Sequence, residues 1–207
     1  MKKQERVLFI LKKLEELYPN PKPPLKHSDP YILLVAVVLS ARSTDAKVNE
    51  VTKELFKLAS TPQEMVKLNE EQIRRVIRPC GLSPAKAKAI LGLSRLLIEK
   101  HGGKVPMDFA ALEELPGVGH KTASVVMAQA FEIPAFPVDT HIYRLARRWK
   151  LTKGKSVKQV EKDLKEAFSQ AMWGKVHLQM IYYGKTHCSA RRCHGIDCLI
   201  CRELAKK

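Results

Sequence analysis

With 207 residues, 45% of them hydrophobic, the chain can bury one large core or two small ones, so disorder is excluded as its default state. Lys and Arg outnumber Asp and Glu by 37 to 21, a formal charge of +16, and residues 141–207 carry 16 basic against 5 acidic groups, or +11 of that total. So uneven a surplus, with a pI near 9.7, points to a polyanion, above all nucleic acid, as the partner.

Along the chain, Val7, Leu8, Leu11, Leu14 and Leu17 have the spacing of an amphipathic helix that the prolines from Pro21 to Pro24 end. The longest apolar run here is five residues, too short for a signal-peptide core, so no export is expected and a cytoplasmic (in a bacterium, nucleoid-associated) location follows. Ser28-Asp29-Pro30 reads as the next helix start, with the proline in a first turn that has no use for its missing N–H. The segment YILLVAVVLSA that follows is apolar all round and is predicted to be a buried central helix. Its run over residues 31–39 falls well short of the roughly 20 residues of a membrane span, so no membrane partner is expected. Further helices are predicted at 46–58, 69–77, 84–101, 120–131, 137–149, 157–168 and 174–183. No sustained strand alternation or internal repeat interrupts them, and the connectors are short and marked by Pro or Gly. The expected class is all-α.

Leu115-Pro116-Gly117-Val118-Gly119-His120-Lys121 joins a short helix to a longer one through two glycines. Glycine permits positive φ and close approach of the backbone, and a helix N-terminus just beyond offers N–H groups and partial positive charge. Such a turn suits a phosphate held without sequence reading, though it also serves as a plain helix-to-helix connection. Asp139, one of two carboxylates between Leu115 and Val160, follows a proline-rich loop and precedes Thr-His-Ile, which makes it a good helix N-cap.

LPGVGHKTA followed by PAFPVDTHIYRLARR resembles the helix-hairpin-helix, Gly/Pro-rich loop and Asp signature of the endonuclease III family of DNA glycosylases. The resemblance runs along nearly the whole chain: PYILLVAVVLSARSTD and RPCGLSPAKAKAI fall where the family carries its central helix and lesion-facing loops. It implies an all-α, two-domain fold that closes on a C-terminal cysteine-cluster loop. A helical barrel bearing the hairpin would span residues 22–132, and residues 1–21 with 133–207 would form the second domain. It implies base-excision repair of duplex DNA holding an oxidised pyrimidine, then cleavage 3′ to the abasic site, by a monomer. Lys121 would be the nucleophile and Asp139 its carboxylate partner. An amine suits both steps, because the Schiff base it forms with the opened sugar permits β-elimination. A free lysine, with a pKa of about 10.4, must first be held neutral, and the first turn of a helix in a basic protein works in that direction. One rival is a monofunctional mismatch glycosylase, which the resemblance places without a lysine at position 121. A non-catalytic hairpin protein, the other rival, has no need of both Lys121 and Asp139.

By the same resemblance, Gly117, Val118 and Gly119 meet a phosphate, and Arg42 stands where the family commonly has a glutamine that fills the gap left by the extruded base. An arginine there cannot accept a hydrogen bond as an amide can. Leu82 matches the loop that inserts an apolar wedge, or else is a core residue after a helix cap at Gly81. His120 and His141 flank the pair but are read as locally hydrogen-bonded. Cys188, Cys193, Cys198 and Cys201 supply four thiolates within fourteen residues, the number a 4Fe-4S cluster requires. Their spacing, C-x4-C-x4-C-x2-C, departs from the family's C-x6-C-x2-C-x5-C, and a family-like last cysteine would fall on Lys207. A structural zinc, with His187 or His194 able to replace one thiolate, and unligated thiols both stay open. Arg191 and Arg192, inside this loop, would be a phosphate clamp.

Overall fold

The computed structural model describes residues 2–206; Met1 and Lys207, which the anticipated second domain includes, lie outside the described residues. Among the described residues every regular element is helical. The chain divides into two compact units, Pro23–Ile133 and Met1–Lys22 with Pro134–Lys207.

The first unit is built around α2 (Pro30–Ser40), which starts at Asp29, whose carboxylate accepts the N–H groups of Tyr31 and Ile32. Such a cap is worth about 1 kcal/mol. Eight of the helix's residues, from Tyr31 to Leu39, are buried. Each large aliphatic side chain among them stabilises the fold by about 2 kcal/mol. Around it lie α3 (Asp45–Leu58), α4 (Pro62–Met65), α5 (Glu70–Ile77), α6 (Ser83–His101), α7 (Phe109–Glu113) and α8 (His120–Ala130). α8, α3 and α6 pack directly on α2. The buried Tyr31 hydroxyl is 2.7 Å from Ser94 Oγ, and burial pushes this phenol above its usual range.

In the second unit α1 (Lys3–Leu17) packs on α11 (Trp173–Thr186) and α12 (Leu199–Ala205), and α9 (Thr140–Arg148) packs on α10 (Val157–Ala167) and α11. Ile10 and Leu14 of α1 share a core with Leu145, Trp149, Leu164 and Tyr183. Polar contacts complete the attachment: Arg6 donates to Lys150 O at 2.8 Å, and Lys175 pairs with Glu15 at 2.7 Å. The helix expected over 137–149 begins only at Thr140, because Asp139 caps it and residues 134–138 run without regular structure, with 135–138 buried. No described helix is long and apolar enough to cross a membrane.

Candidate active site and metal centre

In the first unit, α7 leads through the glycine turn into α8, so Lys121 is the second residue of a helix whose cap is Gly119. Its side chain is exposed. Gly117 sits at φ +78°, and a Cβ there would come within 2.8 Å of Ala89 Cβ. Conformation and space therefore both require glycine. Val118 plays a different part from its neighbours: its side chain is buried, and its N–H donates to Leu115 O at 3.0 Å. A phosphate at this turn would be met by the exposed backbone of Gly117 and Gly119 instead. A cleft of about 710 Å³ beside the turn is lined by Lys88, Arg95, Pro116 and Gly117, among others, which adds cations next to it. His120 is held locally, with Nδ1 at 2.7 Å from Glu113 and its ring stacked on Phe109.

Two turns of the same unit present the other DNA-facing candidates. Arg42, just past the end of α2, and Leu82, at the start of α6, are both exposed and both adopt positive φ, +56° and +51°. Leu82 is thus not a core residue: 52% of its surface is open to solvent. Between these turns lies a group that sequence reasoning missed. Lys86 is buried, and its ammonium donates to Leu39 O, Ala41 O and Cys80 O at 2.8 to 2.9 Å. Nothing in the run PAKAKAI separates it from exposed Lys88.

In the second unit Asp139 is half-buried, and its Oδ1 accepts the Ile142 N–H at 2.8 Å. It is the N-cap of α9, and the cap occupies one oxygen only. His141 Nδ1 is 3.1 Å from an Arg144 amino group.

Cys188, Cys193, Cys198 and Cys201 are all buried, none is disulfide-bonded, and their sulfur atoms lie within 4.8 Å of one another. Among the described residues no histidine joins them, and the His187 ring is engaged by Thr186 at 2.7 Å and Tyr18 at 3.1 Å. Hydrogen bonds from Cys188 and Cys201 hold Cys198 far below the usual thiol range, while Cys188 is pushed up to about 12, chiefly by its bond to Cys198. Cys201 is also pushed up, so hydrogen bonding and burial favour ionisation at Cys198 and oppose it at Cys188 and Cys201. The four residues fit a metal centre. Two arginines brace the loop: Arg148 donates to Cys188 Sγ at 3.2 Å and to Ser189 O at 2.9 Å, and Arg144 donates to Cys188 O. The basic run RLARR gave no sign of this use. Arg191 and Arg192 are exposed on the same loop.

Residues 35–170 match the family model of HhH-GPD superfamily base excision DNA repair proteins. That match defines the class. Endonuclease III of Bacillus subtilis (strain 168) is 40% identical over 207 residues, covering 98% of this chain and 94% of the relative. Endonuclease III of Escherichia coli (strain K12) is 42% identical over 200 residues, with 97% and 94% covered. This chain belongs to the endonuclease III family. A solved non-covalent endonuclease III–DNA complex superposes with a TM-score of 0.92 at 38% identity, covering 98% of this chain and 95% of the other. A trapped endonuclease III–DNA covalent intermediate gives 0.90, also at 38% identity, with 98% and 99% covered.

Proposed function

We propose that this protein is a bifunctional base-excision enzyme that removes oxidised pyrimidines from duplex DNA and then cleaves 3′ to the abasic site. The observation that carries this reading is the exposed lysine in the first turn of α8, directly after a turn that only glycine can make. The neutral Lys121 amine attacks the sugar C1′ as the bond from C1′ to the base breaks, and the base departs with the electron pair. Opening of the ring gives a Schiff base, loss of a C2′ proton follows, and the 3′ phosphate leaves by β-elimination. Asp139 supplies the negative charge that stabilises the cationic sugar and assists the amine. Gly117 and Gly119 hold a phosphate through their backbone, and Arg42 and Leu82 enter the base stack to fill the gap left by the extruded nucleotide.

The four cysteines hold a 4Fe-4S cluster with a structural role, a reading supported by family membership and by four buried, converging thiols. When bound, the cluster fixes the loop that carries Arg191 and Arg192. One observation favours a single zinc ion as a second reading. The Cys188–Cys201 separation of 3.7 Å is close to the edge, about 3.8 Å, of a tetrahedron with zinc–sulfur bonds of about 2.3 Å. Anaerobically purified protein with about four irons and four sulfides per chain supports the cluster; colourless protein with one zinc replaces it.

Borohydride trapping on abasic DNA tests the enzymatic reading. Wild-type protein should be cross-linked and Lys121→Gln should not. Equal cross-linking of the two would move the nucleophile elsewhere.

A further inference from the structure

Among the described residues Lys86 is the one buried lysine, 5% exposed, and the reaction proposed above has no use for it. Its three N–H donors meet three backbone carbonyls, those of Leu39, Ala41 and Cys80, at 2.9, 2.8 and 2.8 Å. An ammonium is the side-chain group with three donors on one atom, and no neutral residue could satisfy all three carbonyls. Leu39 O and Ala41 O lie at the C-terminal end of α2, where the orphaned carbonyls and the helix dipole favour a cation. Cys80 O closes the short turn Arg78–Cys80 ahead of Gly81. The backbone N–H of Lys86 itself donates to Leu82 O at 3.0 Å. One residue thus holds both the turn leading to Arg42 and the turn leading to Leu82. Both of those residues occupy the left-handed region, at φ +56° and +51°, which side-chain-bearing residues keep only where their surroundings impose it. The burial of Lys86 opposes its charge and moves its pKa down, so its position there needs the compensation that the three carbonyls give.

We propose that Lys86 is a positioning residue for duplex opening: its ammonium fastens the turns of Arg42 and Leu82 together, so that the two side chains enter the base stack as one rigid wedge. The proposal rests on the reading of Arg42 and Leu82 as stack-entering residues. Extruding a paired base requires unstacking, whereas an abasic site has no base left to extrude. Loss of the fastening should therefore slow base removal and spare the lyase step.

The test measures single-turnover base removal from a duplex with one oxidised pyrimidine and strand cleavage at a preformed abasic site, for wild type, Leu82→Ala, Arg42→Ala and Lys86→Met. Lys86→Met should lose about tenfold in base removal and stay within about twofold in lyase rate, given an unstacking cost of a few kcal/mol. Combined with Leu82→Ala, it should add no loss beyond the more damaged single variant, because both act through one wedge. If Leu82→Ala is selective and Lys86→Met slows both steps equally, or neither, the fastening is overturned and the wedge stands. If neither Leu82→Ala nor Arg42→Ala is selective, the wedge falls and the proposal with it. Should Lys86→Met not fold, Lys86→Gln is read by the same ratio, since its two N–H donors leave at least one carbonyl unheld. A wild-type ratio in that variant, or failure of both variants to fold, makes Lys86 a stabilising residue only and overturns the proposal.

Discussion

The role proposed for Asp139 in base removal and its observed role as a helix cap rest on one carboxylate, and its geometry allows them to be separated. The cap of α9 uses Oδ1 alone, and an asparagine keeps that oxygen while losing the charge. Asp139→Asn should therefore unfold within about 0.5 kcal/mol of wild type and bind undamaged duplex normally, while base removal falls about a hundredfold or more, as when one charge-stabilising group is lost from a transition state. Parallel loss of stability and rate, measured by denaturation and single-turnover kinetics, would leave Asp139 as a cap only. At this scale the sequence was informative about the turns and helix starts that place the two candidate residues. Lys121 stands just after two glycines, which allow a turn closed to other residues, and Asp139 just after two prolines, which fix the backbone leading into the helix. Lys86 was not legible, because burial of one lysine in an alternating Ala-Lys run depends on which carbonyls the fold brings to it. The burial of the Val118 side chain was not legible for the same reason: its neighbours face outward and it does not.

The longer helices were legible because their apolar spacing repeats over several turns, and most observed bounds differ from the expected ones by three residues or fewer. Short ones were not: α4 has four residues and α12 begins inside the cysteine loop, so neither builds a periodic pattern. Helix α10 shows how an element is fixed by polar contacts that periodicity does not reveal. Ser156 caps it, and the Asp163 carboxylate accepts from Gln159 at 2.6 Å and from the Thr152 hydroxyl, which in turn accepts from Gly154 N–H at 2.8 Å. The bond from Thr152, aided by Gln159, holds Asp163 below the usual aspartate range against the effect of burial. A carboxyl depressed in the folded state contributes stability that is present above its unfolded pKa of about 3.9 and is lost as pH falls through the folded value. Asp163→Asn should thus cost about 1 kcal/mol at pH 7. The gap to wild type should close below about pH 3. Because other carboxylates titrate equally in both proteins, the difference isolates Asp163. A gap that persists unchanged at low pH, in urea denaturation, would show that packing and not charge is responsible.

Across the whole molecule, assignment of the first helix to the same unit as the C-terminal third follows from long-range packing, for which local sequence offers no signal. The charge distribution, by contrast, was readable at once. Residues 141–207 hold a net +11, and two of those charges, Arg191 and Arg192, are exposed on a loop held at several points. Arg148 binds Ser189 O, and Ser189 Oγ accepts the Arg192 N–H at 3.0 Å. Charges on a braced loop lose little conformational freedom when they meet phosphate, so they should act in every complex, specific or not. Each phosphate neutralised on duplex DNA adds about 0.9 to the slope of log K against log salt. Replacing both arginines by alanine should therefore flatten that slope for undamaged duplex by up to about 1.8 while leaving the lyase rate of the saturated enzyme unchanged. Cys193→Ser, which keeps both arginines but takes one ligand from the proposed metal centre, should weaken binding at low salt and flatten the slope by less than the double alanine variant. A slope that is the same in all three proteins would remove the loop from the DNA interface, and would leave the remaining basic groups of this unit to account for the attraction.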